Sequence, residues 1–417
     1  MAICRRVKKP SKRLKVLSYK KRKGEAKLQN RPKRDTYLPY GRQWIDDEDI
    51  DSVVNVLKGD YLTTGPFVSN FEREIANYVG AKYAVTFSNG TAALHGACFA
   101  AGIGEGDEVI TTPITFAASA NCVLFQGGQP IFADIDEKTY NIDPKEIEQK
   151  ITKKTKAIIP VHFTGQPAPL DEINEIARKY NLIMIEDAAH ALGATYKQKR
   201  IGSNSDMTMF SFHPVKHITS GEGGIITTNN KEYYDKLLQF RSHGITRDSS
   251  KMLENHGPWF YEMHFLGYNY RMTDIQAALA SSQLKKLDKF LDLRKKYVSM
   301  YNEAFKKISS TTIPYQTEDS SSSWHLYVIR LHLEQLTGNR KDIFNALVQE
   351  NIGVNVHYIP VYFLPYYQGL GYQQGLCPNA EKLYEEVLTL PLFPAMTEND
   401  VLDVINAVYK VITRYSR

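Results

Sequence analysis

The chain has 417 residues, of which 42% are hydrophobic and 24% charged, a composition that predicts a soluble protein with one large and one smaller domain. No apolar run reaches 18 residues, so no membrane-spanning helix is expected. The four scattered cysteines form no CxxC pair, which argues against a metal site or a disulfide framework and favours a reducing, cytoplasmic location.

The charge is distributed unevenly along the chain. Residues 1–34 hold 15 Lys and Arg and one acid, whereas residues 35–417 hold 37 Lys and Arg against 45 Asp and Glu, a net charge of −8. Because residues 1–36 include few apolar side chains, they are predicted to form a basic, disordered tail. This tail could bind nucleic acid or an anionic surface, although this is not the favoured interpretation. An extension without a role is as good an interpretation as such binding.

Two amphipathic helices are predicted after the tail. Asp46 or Asp47 can cap the first, which ends at Gly59 and has a predicted apolar face of Ile50, Val53, Val54 and Leu57. The second spans Pro66 to Val79 and ends before Gly80. The linker between them, Asp60 to Gly65, is a turn by composition and could equally be a binding loop.

From Lys82 onward, strand patterns alternate with helix patterns. Strands are predicted in YAVTFS, DEVITTP, PIFADI, KAIIPVHF, LIMIED, Met207–Phe212 and Gly224–Thr228, with helices in Thr91–Ala101, FAASANCVLFQ and Asp171–Tyr180. This alternation predicts an α/β fold with a mostly parallel central sheet in a large domain, residues 37–290. Ligands bind at the carboxyl ends of such strands, so functional residues are expected there.

A long helix that begins at Thr273 is predicted to bridge to a smaller C-terminal α+β domain, residues 291–417. Thr273 or Asp274 can cap this helix. After a serine-rich break at Asp319–Trp324, the predicted elements are a strand HLYVIRL, a helix Arg340–Glu350, a strand VNVHYI and helices on both sides of a PLFP turn.

Four residues or turns at the predicted strand ends could carry chemistry. The turn Ser88–Ala93 opens a helix and suits a phosphate, although Gly and Thr are common in any such turn. Phe116 could stack on a planar ring or belong to the core. Asp187 could cap a helix or stay charged beside a heteroaromatic nitrogen, and Lys216 is either a solvated charge or, shielded from water, an amine nucleophile. In this order, the four together are typical of a pyridoxal phosphate site.

Several segments make this interpretation more specific: NGTAAL, TPITFAASANC, EDAAHALGA, SFHPVKHITSGEGG, FRSHG and GYNYRMTDIQAALA. From about Tyr37 to the C-terminus, the chain resembles the sugar-nucleotide aminotransferases of the DegT family. The resemblance implies an aspartate aminotransferase-like fold (fold type I) and pyridoxal 5′-phosphate (PLP) as the cofactor. The cofactor-binding residues that it implies are Gly90, Thr91, Phe116, Asp187, His190, Ser211, Lys216 and Asn269.

The same resemblance implies a role for each of these residues. Lys216, the catalytic lysine, would bind PLP covalently and then move a proton, and Asp187, the second catalytic residue, would pair with the pyridinium nitrogen. His190 would lie near the phenolic oxygen of the cofactor, and Phe116 would stack on its ring. The phosphate would be held by Gly90, Thr91 and Ser211. Asn269 would reach the cofactor phosphate of a neighbouring subunit, which implies a homodimer with shared active sites.

Within the family, the GEGG that follows Lys216 resembles enzymes that aminate C4 of the sugar, whereas those acting at C3 more often carry GDGG. SFHPVKHIT, FRSHG, DYLTTGP and VHYIPVY are most similar to the transaminases of pseudaminic acid biosynthesis. Those enzymes use L-glutamate as the amino donor and a UDP-linked 4-keto-6-deoxy-N-acetylhexosamine as the acceptor. By this match the substrate-binding residues are Tyr40, Tyr61, Leu62, Thr63, Asn89, Arg271, His357 and Tyr358.

Three alternatives to this function stay open. The first is the same chemistry on another 4-keto or 3-keto sugar nucleotide. The second is a sugar dehydratase, in which histidine replaces the lysine. The third is a non-catalytic PLP-binding regulatory protein that works through its basic tail. The joint presence of Lys216, Asp187 and Phe116 favours an aminotransferase, because a protein without the chemistry would not need all three.

Overall fold

The β-strands form one large sheet and three small ones in this computed structural model, which describes residues 31–417. Most of the predicted basic tail therefore lies outside the described residues. The strands are β1 (Tyr83–Phe87), β2 (Glu108–Thr111), β3 (Gln129–Phe132), β4 (Thr155–Ile159), β5 (Ile183–Asp187), β6 (Thr195–Tyr196), β7 (Lys199–Arg200), β8 (Met207–Ser211), β9 (Gly224–Thr228), β10 (Ile245–Thr246), β11 (Glu262–Met263), β12 (Thr311–Thr312), β13 (Ser320–Ser321), β14 (Tyr327–Leu331) and β15 (Val387–Leu390).

The large sheet has seven strands in the order β1-β9-β8-β5-β4-β2-β3. β9 is antiparallel to both of its neighbours, and the other strand pairs are parallel, so the predicted mostly parallel sheet is confirmed. In the register of β5 and β8, Asp187 lies opposite Met209. The carboxyl ends of β1, β5 and β8 consequently meet at one edge, where the antiparallel β9 begins with Gly224.

Helices cover both faces of this sheet and form much of the C-terminal part. They are α1 (Asp47–Leu57), α2 (Pro66–Val79), α3 (Gly90–Ala100), α4 (Ala118–Leu124), α5 (Pro144–Gln149), α6 (Leu170–Tyr180), α7 (Lys231–Phe240), α8 (Asp274–Leu284), α9 (Leu287–Phe305), α10 (Arg340–Gln349), α11 (Pro365–Gly369), α12 (Pro378–Glu386) and α13 (Glu398–Tyr415). Thr273 caps α8 through a reciprocal capping box with Gln276, as its sequence position predicts.

The predicted apolar face of α1 is only half right, because Val53 and Val54 are partly buried but the most buried apolar residue is Val56, at 1% exposed. Ile50 and Leu57 are 52% and 54% exposed, whereas Asp49 is fully buried. The Asp49 carboxylate accepts hydrogen bonds from Ser282 Oγ at 2.7 Å and from Gln283 Nε2 at 2.6 Å. A polar network therefore helps to dock α1 on α8, while Ile50 and Leu57 face outward.

The long helix predicted from Thr273 is instead the two helices α8 and α9. The break lies at Lys285 and Lys286, where Lys286 Nζ lies 2.7 Å from the buried carboxylate of Asp49 and 2.5 Å from Asp46. A tertiary ion pair of this kind has no periodic signal in the sequence.

The strand predicted in VNVHYI is also wrong. Asn355 alone in this segment forms a bridge, to Thr389, because consecutive residues from Asn355 to Ile359 line a cavity and cannot alternate between two faces. β14 pairs in antiparallel register with β12 on one side and with β15 on the other.

Two of the buried hydrophobic clusters meet along α9. Leu287 and Leu291 pack with the large-sheet cluster, whereas Tyr301 and Phe305 pack with α13, β14 and β15. The division at residue 290 stays a prediction, but α9 is the element that joins the two clusters.

Residues 31–36 pack against the C-terminal helix, although the prediction assigns them to the tail. Arg31 pairs with Asp403 at 2.9 Å, and Arg34 pairs with Asp400 at 2.5 Å. Within residues 31–417, no helix is both long and apolar enough to cross a membrane.

Candidate active site

A cavity of about 1030 Å³ lies at the carboxyl edge of the large sheet, and residues of the C-terminal part close it on one side. It brings together most of the predicted site residues, which come from separate strand ends. Those that line it are Tyr40, Asn89, Gly90, Thr91, Phe116, Asp187, His190, Ser211, Lys216, His357 and Tyr358. Tyr61, Leu62, Thr63, Asn269 and Arg271 are absent from its wall.

The start of α3 forms an anion-binding corner of this cavity. Asn89 caps the helix by accepting a hydrogen bond from Ala92 N at 2.8 Å, and the N–H groups of Gly90 and Thr91 donate to no acceptor in residues 31–417. Ser211 lies beside them, since a Cβ on Gly90 would lie 3.3 Å from Ser211 Cβ. Two free N–H groups, a hydroxyl and the positive end of a helix suit a phosphate.

The carboxylate of Asp187 lies at the tip of β5 and is 5% exposed. It accepts hydrogen bonds from Ser119 Oγ at 2.6 Å and from Ala189 N at 3.1 Å. Burial raises the pKa of Asp187, and the hydrogen bonds from Ser119 and Ala189 together with the charge of Lys216 oppose this rise. Sequence reasoning missed Ser119, which lies in the first turn of α4.

Lys216 lies in the loop between β8 and β9, with its Nζ beside the cavity. Burial lowers the pKa of Lys216 to about 8, while the Asp187 carboxylate opposes this shift and Arg294 adds to it. A lysine with an ordinary pKa would be almost wholly protonated at neutral pH, whereas this one has a substantial amine fraction. The interpretation of Lys216 as a solvated surface charge is therefore not supported.

Sequence reasoning also missed the partners of Lys216 in the C-terminal part. His325 Nε2 lies 3.4 Å from Lys216 Nζ, and the fully buried Arg294 lies behind it. His190, His217 and His325 are buried, and burial holds the pKa of each well below its usual value. These imidazoles therefore stay neutral at neutral pH, and the charge that raises the pKa of Lys216 is that of Asp187.

Tyr40, His357 and Tyr358 form the wall opposite the sheet. The Tyr358 hydroxyl lies 3.2 Å from His190 Nε2, so it joins a predicted substrate residue to a predicted cofactor residue. His357 Nδ1 lies 2.8 Å from Thr389 Oγ1, and burial lowers the pKa of His357 to about 3. This wall therefore presents neutral hydrogen-bonding groups to the cavity.

Of the remaining predicted residues, Tyr61, Leu62, Thr63 and Asn269 are exposed, whereas Arg271 is partly buried and its Nε has no hydrogen-bond partner in residues 31–417. Tyr61 and Leu62 are 58% and 48% exposed, and Leu62 O accepts a hydrogen bond from Asp274 N at 3.0 Å at the start of α8. Tyr268 and Tyr270 stack with ring centroids 4.8 Å apart, so Asn269 projects from the other side of this extended segment and is exposed.

The cavity residues fit the groups of PLP. The corner at Gly90, Thr91 and Ser211 suits its phosphate, and the Phe116 ring, 65% exposed at the cavity wall, offers a face for an aromatic ring. Asp187 offers a buried carboxylate for a ring nitrogen, and Lys216 offers an amine for an aldehyde. His190 Nδ1 is buried and has no hydrogen-bond partner in residues 31–417, which leaves one polar atom free for a ligand.

Comparison with known proteins agrees with this geometry. Residues 43–409 match the DegT/DnrJ/EryC1/StrS aminotransferase family. The chain is 39% identical over 383 residues to the UDP-4-amino-4,6-dideoxy-N-acetyl-β-L-altrosamine transaminase of Campylobacter jejuni, an alignment that covers 91% of this chain and 99% of that protein.

Two solved structures share the fold. PseC of Helicobacter pylori, an aminotransferase involved in the biosynthesis of pseudoaminic acid, has a TM-score of 0.85 and 32% identity, with 91% of this chain and all of that chain covered. Spr1654 of Streptococcus pneumoniae in its PLP-form has a TM-score of 0.84 and 32% identity, with 91% and 99% covered. The predicted fold type I architecture and the PLP cofactor are thus confirmed.

A family match over most of the chain and a cavity that fits the cofactor point to the same chemistry. The chain belongs to the DegT/DnrJ/EryC1/StrS aminotransferase family and is a PLP-dependent sugar aminotransferase.

Proposed function

We propose that the protein transfers the amino group of L-glutamate to C4 of a UDP-linked 4-keto-6-deoxy-N-acetylhexosamine. The observation that carries the amino transfer is the position of Lys216, whose Nζ lies beside the cavity with a pKa of about 8. The specific sugar rests on the likeness to the altrosamine transaminase and to PseC. The GEGG sequence after Lys216 supports C4 over C3 through the family resemblance.

In this proposal, PLP supplies the electron sink when it is bound. Asp187 would hold a proton on the ring nitrogen, and Ser119 orients Asp187 through the 2.6 Å hydrogen bond. Gly90, Thr91 and Ser211 would hold the phosphate, and Phe116 would offer its face to the ring. Lys216 Nζ would carry a proton between the cofactor and the substrate carbon that is bonded to the transferred nitrogen, which requires an amine that is neutral for part of the time.

The substrate is proposed to lie against the wall of Tyr40, Asn89, His357 and Tyr358. Neutral donors and acceptors suit sugar hydroxyl, keto and amide groups, because they bind without requiring a charged partner. The Tyr358 hydroxyl, 3.2 Å from His190 Nε2, is placed to link the sugar site to the cofactor site.

The deciding experiment is a panel of 4-keto and 3-keto sugar nucleotides assayed with L-glutamate on the purified protein. The expected result is turnover of the UDP-linked 4-keto-6-deoxy-N-acetylhexosamine, with kcat/KM at least about tenfold above that of any 3-keto compound. Lys216→Ala is expected to abolish transamination and to leave the far-UV circular dichroism spectrum unchanged.

Other outcomes of the panel select other functions. Preference for a 3-keto sugar would replace the C4 assignment, and a second 4-keto compound with an equal kcat/KM would replace the sugar assignment. Binding of PLP without turnover of any member, even with other amino donors, would favour the regulatory alternative. Full turnover by Lys216→Ala would show that another lysine carries the reaction.

We also propose a homodimer in which Asn269, Arg271 and the loop Tyr61–Thr63 serve the cavity of the neighbouring subunit. All of these residues are absent from the wall of their own cavity, and Tyr61, Leu62, Thr63 and Asn269 are exposed. Large apolar side chains are also exposed in the segment that precedes Asn269, with Leu253 91% and Trp259 75% exposed, and exposed apolar surface is typical of a protein interface. The cytoplasmic location expected from the sequence stays a prediction.

A further inference from the structure

The serine-rich stretch that the sequence presents as a break is buried beside the cavity. Ser322 and Ser323 are 2% and 1% exposed, and we call residues Ser322–His325 the serine strap. Ser323 Oγ donates to His190 O at 2.8 Å, and Ser323 O accepts a hydrogen bond from His217 Nε2 at 3.1 Å. The strap is thus fixed to both the β5 end and the Lys216 loop.

Two further contacts fix the last residue of the serine strap. His325 N donates to Thr164 O at 2.8 Å, and Arg294 Nη1 donates to His325 O and Trp324 O, each at 3.1 Å. Arg294 is fully buried in α9, the helix that joins the two hydrophobic clusters. A buried guanidinium that donates to strap carbonyls strongly restrains the backbone of His325.

The His325 side chain is directed at the lysine. Its Nε2 lies 3.4 Å from Lys216 Nζ, and its ring lies 4.3 Å from that of His190 and 5.5 Å from that of His217, centroid to centroid. With 4% of its surface exposed, His325 has little freedom to rotate away from the lysine.

We propose that His325 is a positioning residue for Lys216, and that its Nε2 holds the Lys216 amine beside the cofactor whenever the amine is not covalently bound. A neutral imidazole accepts a hydrogen bond from an ammonium through its unprotonated nitrogen, and its other tautomer donates to a neutral amine. His325 can therefore serve both protonation states of Lys216. The inference rests on the proposed function in that Lys216 is taken as the reactive amine.

The charges around this pair are compatible with the role. The titratable and charged groups that influence Lys216 or His325 are Asp187 on β5, His190 after β5, His217 beside Lys216, Arg294 on α9 and His357 in the opposite wall. Burial holds the pKa of His325 well below its usual value, and the positive charges of Lys216 and Arg294 lower it further. His325 therefore stays neutral in the pH range in which Lys216 titrates.

The test measures the pKa of Lys216 in the full chain freed of cofactor, from the pH dependence of its labelling by an amine-reactive reagent, read by peptide mass spectrometry. Loss of a hydrogen-bond acceptor disfavours the ammonium, so His325→Phe is expected to lower the pKa of Lys216 by about one unit, or about tenfold in the amine-to-ammonium ratio. His325→Gln keeps an acceptor and is expected to keep the pKa. His325→Glu is expected to raise it by more than about one unit.

A matched control is His332→Phe, since His332 Nε2 pairs with Thr312 Oγ1 at 2.8 Å, and the Lys216 pKa is expected to stay unchanged. In the PLP-loaded enzyme, His325→Phe should lower kcat about 10–100-fold, and His325→Gln should recover most of it. An unchanged Lys216 pKa in both the Phe and Glu variants would overturn the inference. If the Phe variant does not fold, the Gln and Glu variants still decide.

The labelling result is independent of the sugar. If none of the sugar nucleotides is turned over but the pKa of Lys216 shifts as described, the proposed function fails and the positioning role stands. If the panel gives turnover but the pKa does not shift, the proposed function stands and His325 has only a structural role.

Discussion

Lys216 is held in a partly deprotonated state by opposing influences that come from different parts of the chain. Burial and the positive charge of Arg294 lower its pKa, and the carboxylate of Asp187 raises it, with a result of about 8. One pKa unit corresponds to about 1.4 kcal/mol, so the balance among these three influences sets how much amine is available at neutral pH.

This balance predicts the pH dependence of cofactor loading. Because the neutral amine is the nucleophile, the rate at which cofactor-free protein captures PLP is expected to rise about tenfold per pH unit below pH 8 and to level off above the pKa of about 8. Stopped-flow absorbance at a series of pH values measures this rate. A lysine with an ordinary pKa would give a rate that rises beyond pH 10, which would contradict the assignment.

An internal control follows from the sign of the Asp187 contribution. Asp187 favours the ammonium of Lys216, so Asp187→Asn is expected to move the labelling pKa of Lys216 to a lower value. A higher pKa of Lys216 in this variant would contradict that expectation. It would show that the substitution changed the burial of Lys216 more than it changed the charge beside it.

At the scale of elements, the anion-binding corner depends on how closely β9 approaches the start of α3. A Cβ on Gly224 would lie 2.5 Å from Asn89 O and 2.7 Å from Gly90 N, and both of these are backbone atoms that cannot rotate away. The last glycine of GEGG therefore has a packing role, because it lets the helix terminus meet the sheet edge. This role is separate from any choice between sugar carbons.

Gly224→Ala is expected to displace the start of α3, to weaken PLP binding at least about tenfold and to cost about 2 kcal/mol in the free energy of unfolding. Urea unfolding at a fixed protein concentration and a PLP titration followed by fluorescence measure the two effects. The control is Gly104→Ala, where an added Cβ meets nothing within 4 Å and stability should change by less than about 0.5 kcal/mol. Equal effects of the two substitutions would refute the packing argument.

At the scale of the whole molecule, the cavity of one chain contains the proposed catalytic lysine but lacks Asn269, Arg271 and the loop Tyr61–Thr63. The exposure of Tyr61, Leu62, Thr63 and Asn269, together with that of Leu253 and Trp259, supports the proposed homodimer. If the sites are shared, each site takes Lys216 from one subunit and Asn269 from the other subunit.

Mixing Lys216→Ala with Asn269→Ala is therefore expected to restore activity. In a mixed dimer one site carries both lesions and the other carries none, so random re-assortment of subunits should recover about one quarter of the wild-type activity. The measurement is a transamination assay after co-refolding equal amounts of the two inactive variants. If the mixture is no more active than either variant alone, or if sedimentation shows a concentration-independent monomer, the shared site is wrong.

Much of this protein could be predicted from the sequence because the decisive signals are local. The run of apolar residues marks β5 and places Asp187 at its tip, and Pro66, Gly80 and Thr273 mark helix ends. Strand ends of a parallel sheet share an edge, so knowledge of which residues end strands was enough to bring Asp187, Ser211 and Lys216 together. The ordered family motifs then supplied the cofactor.

Only the tertiary structure decided which residues surround Lys216 from distant parts of the chain. The sequence predicts a break at Asp319–Trp324 because serine has no periodic hydrophobic signal, yet hydrogen bonds to His190, His217 and Arg294 fix its last residues beside the cavity. The break between α8 and α9 likewise lies at an ion pair of Lys286 with Asp49. Local patterns determine where strands and helices lie, whereas long-range hydrogen bonds and charges set the environment of a single amine, and these have no signature in one sequence.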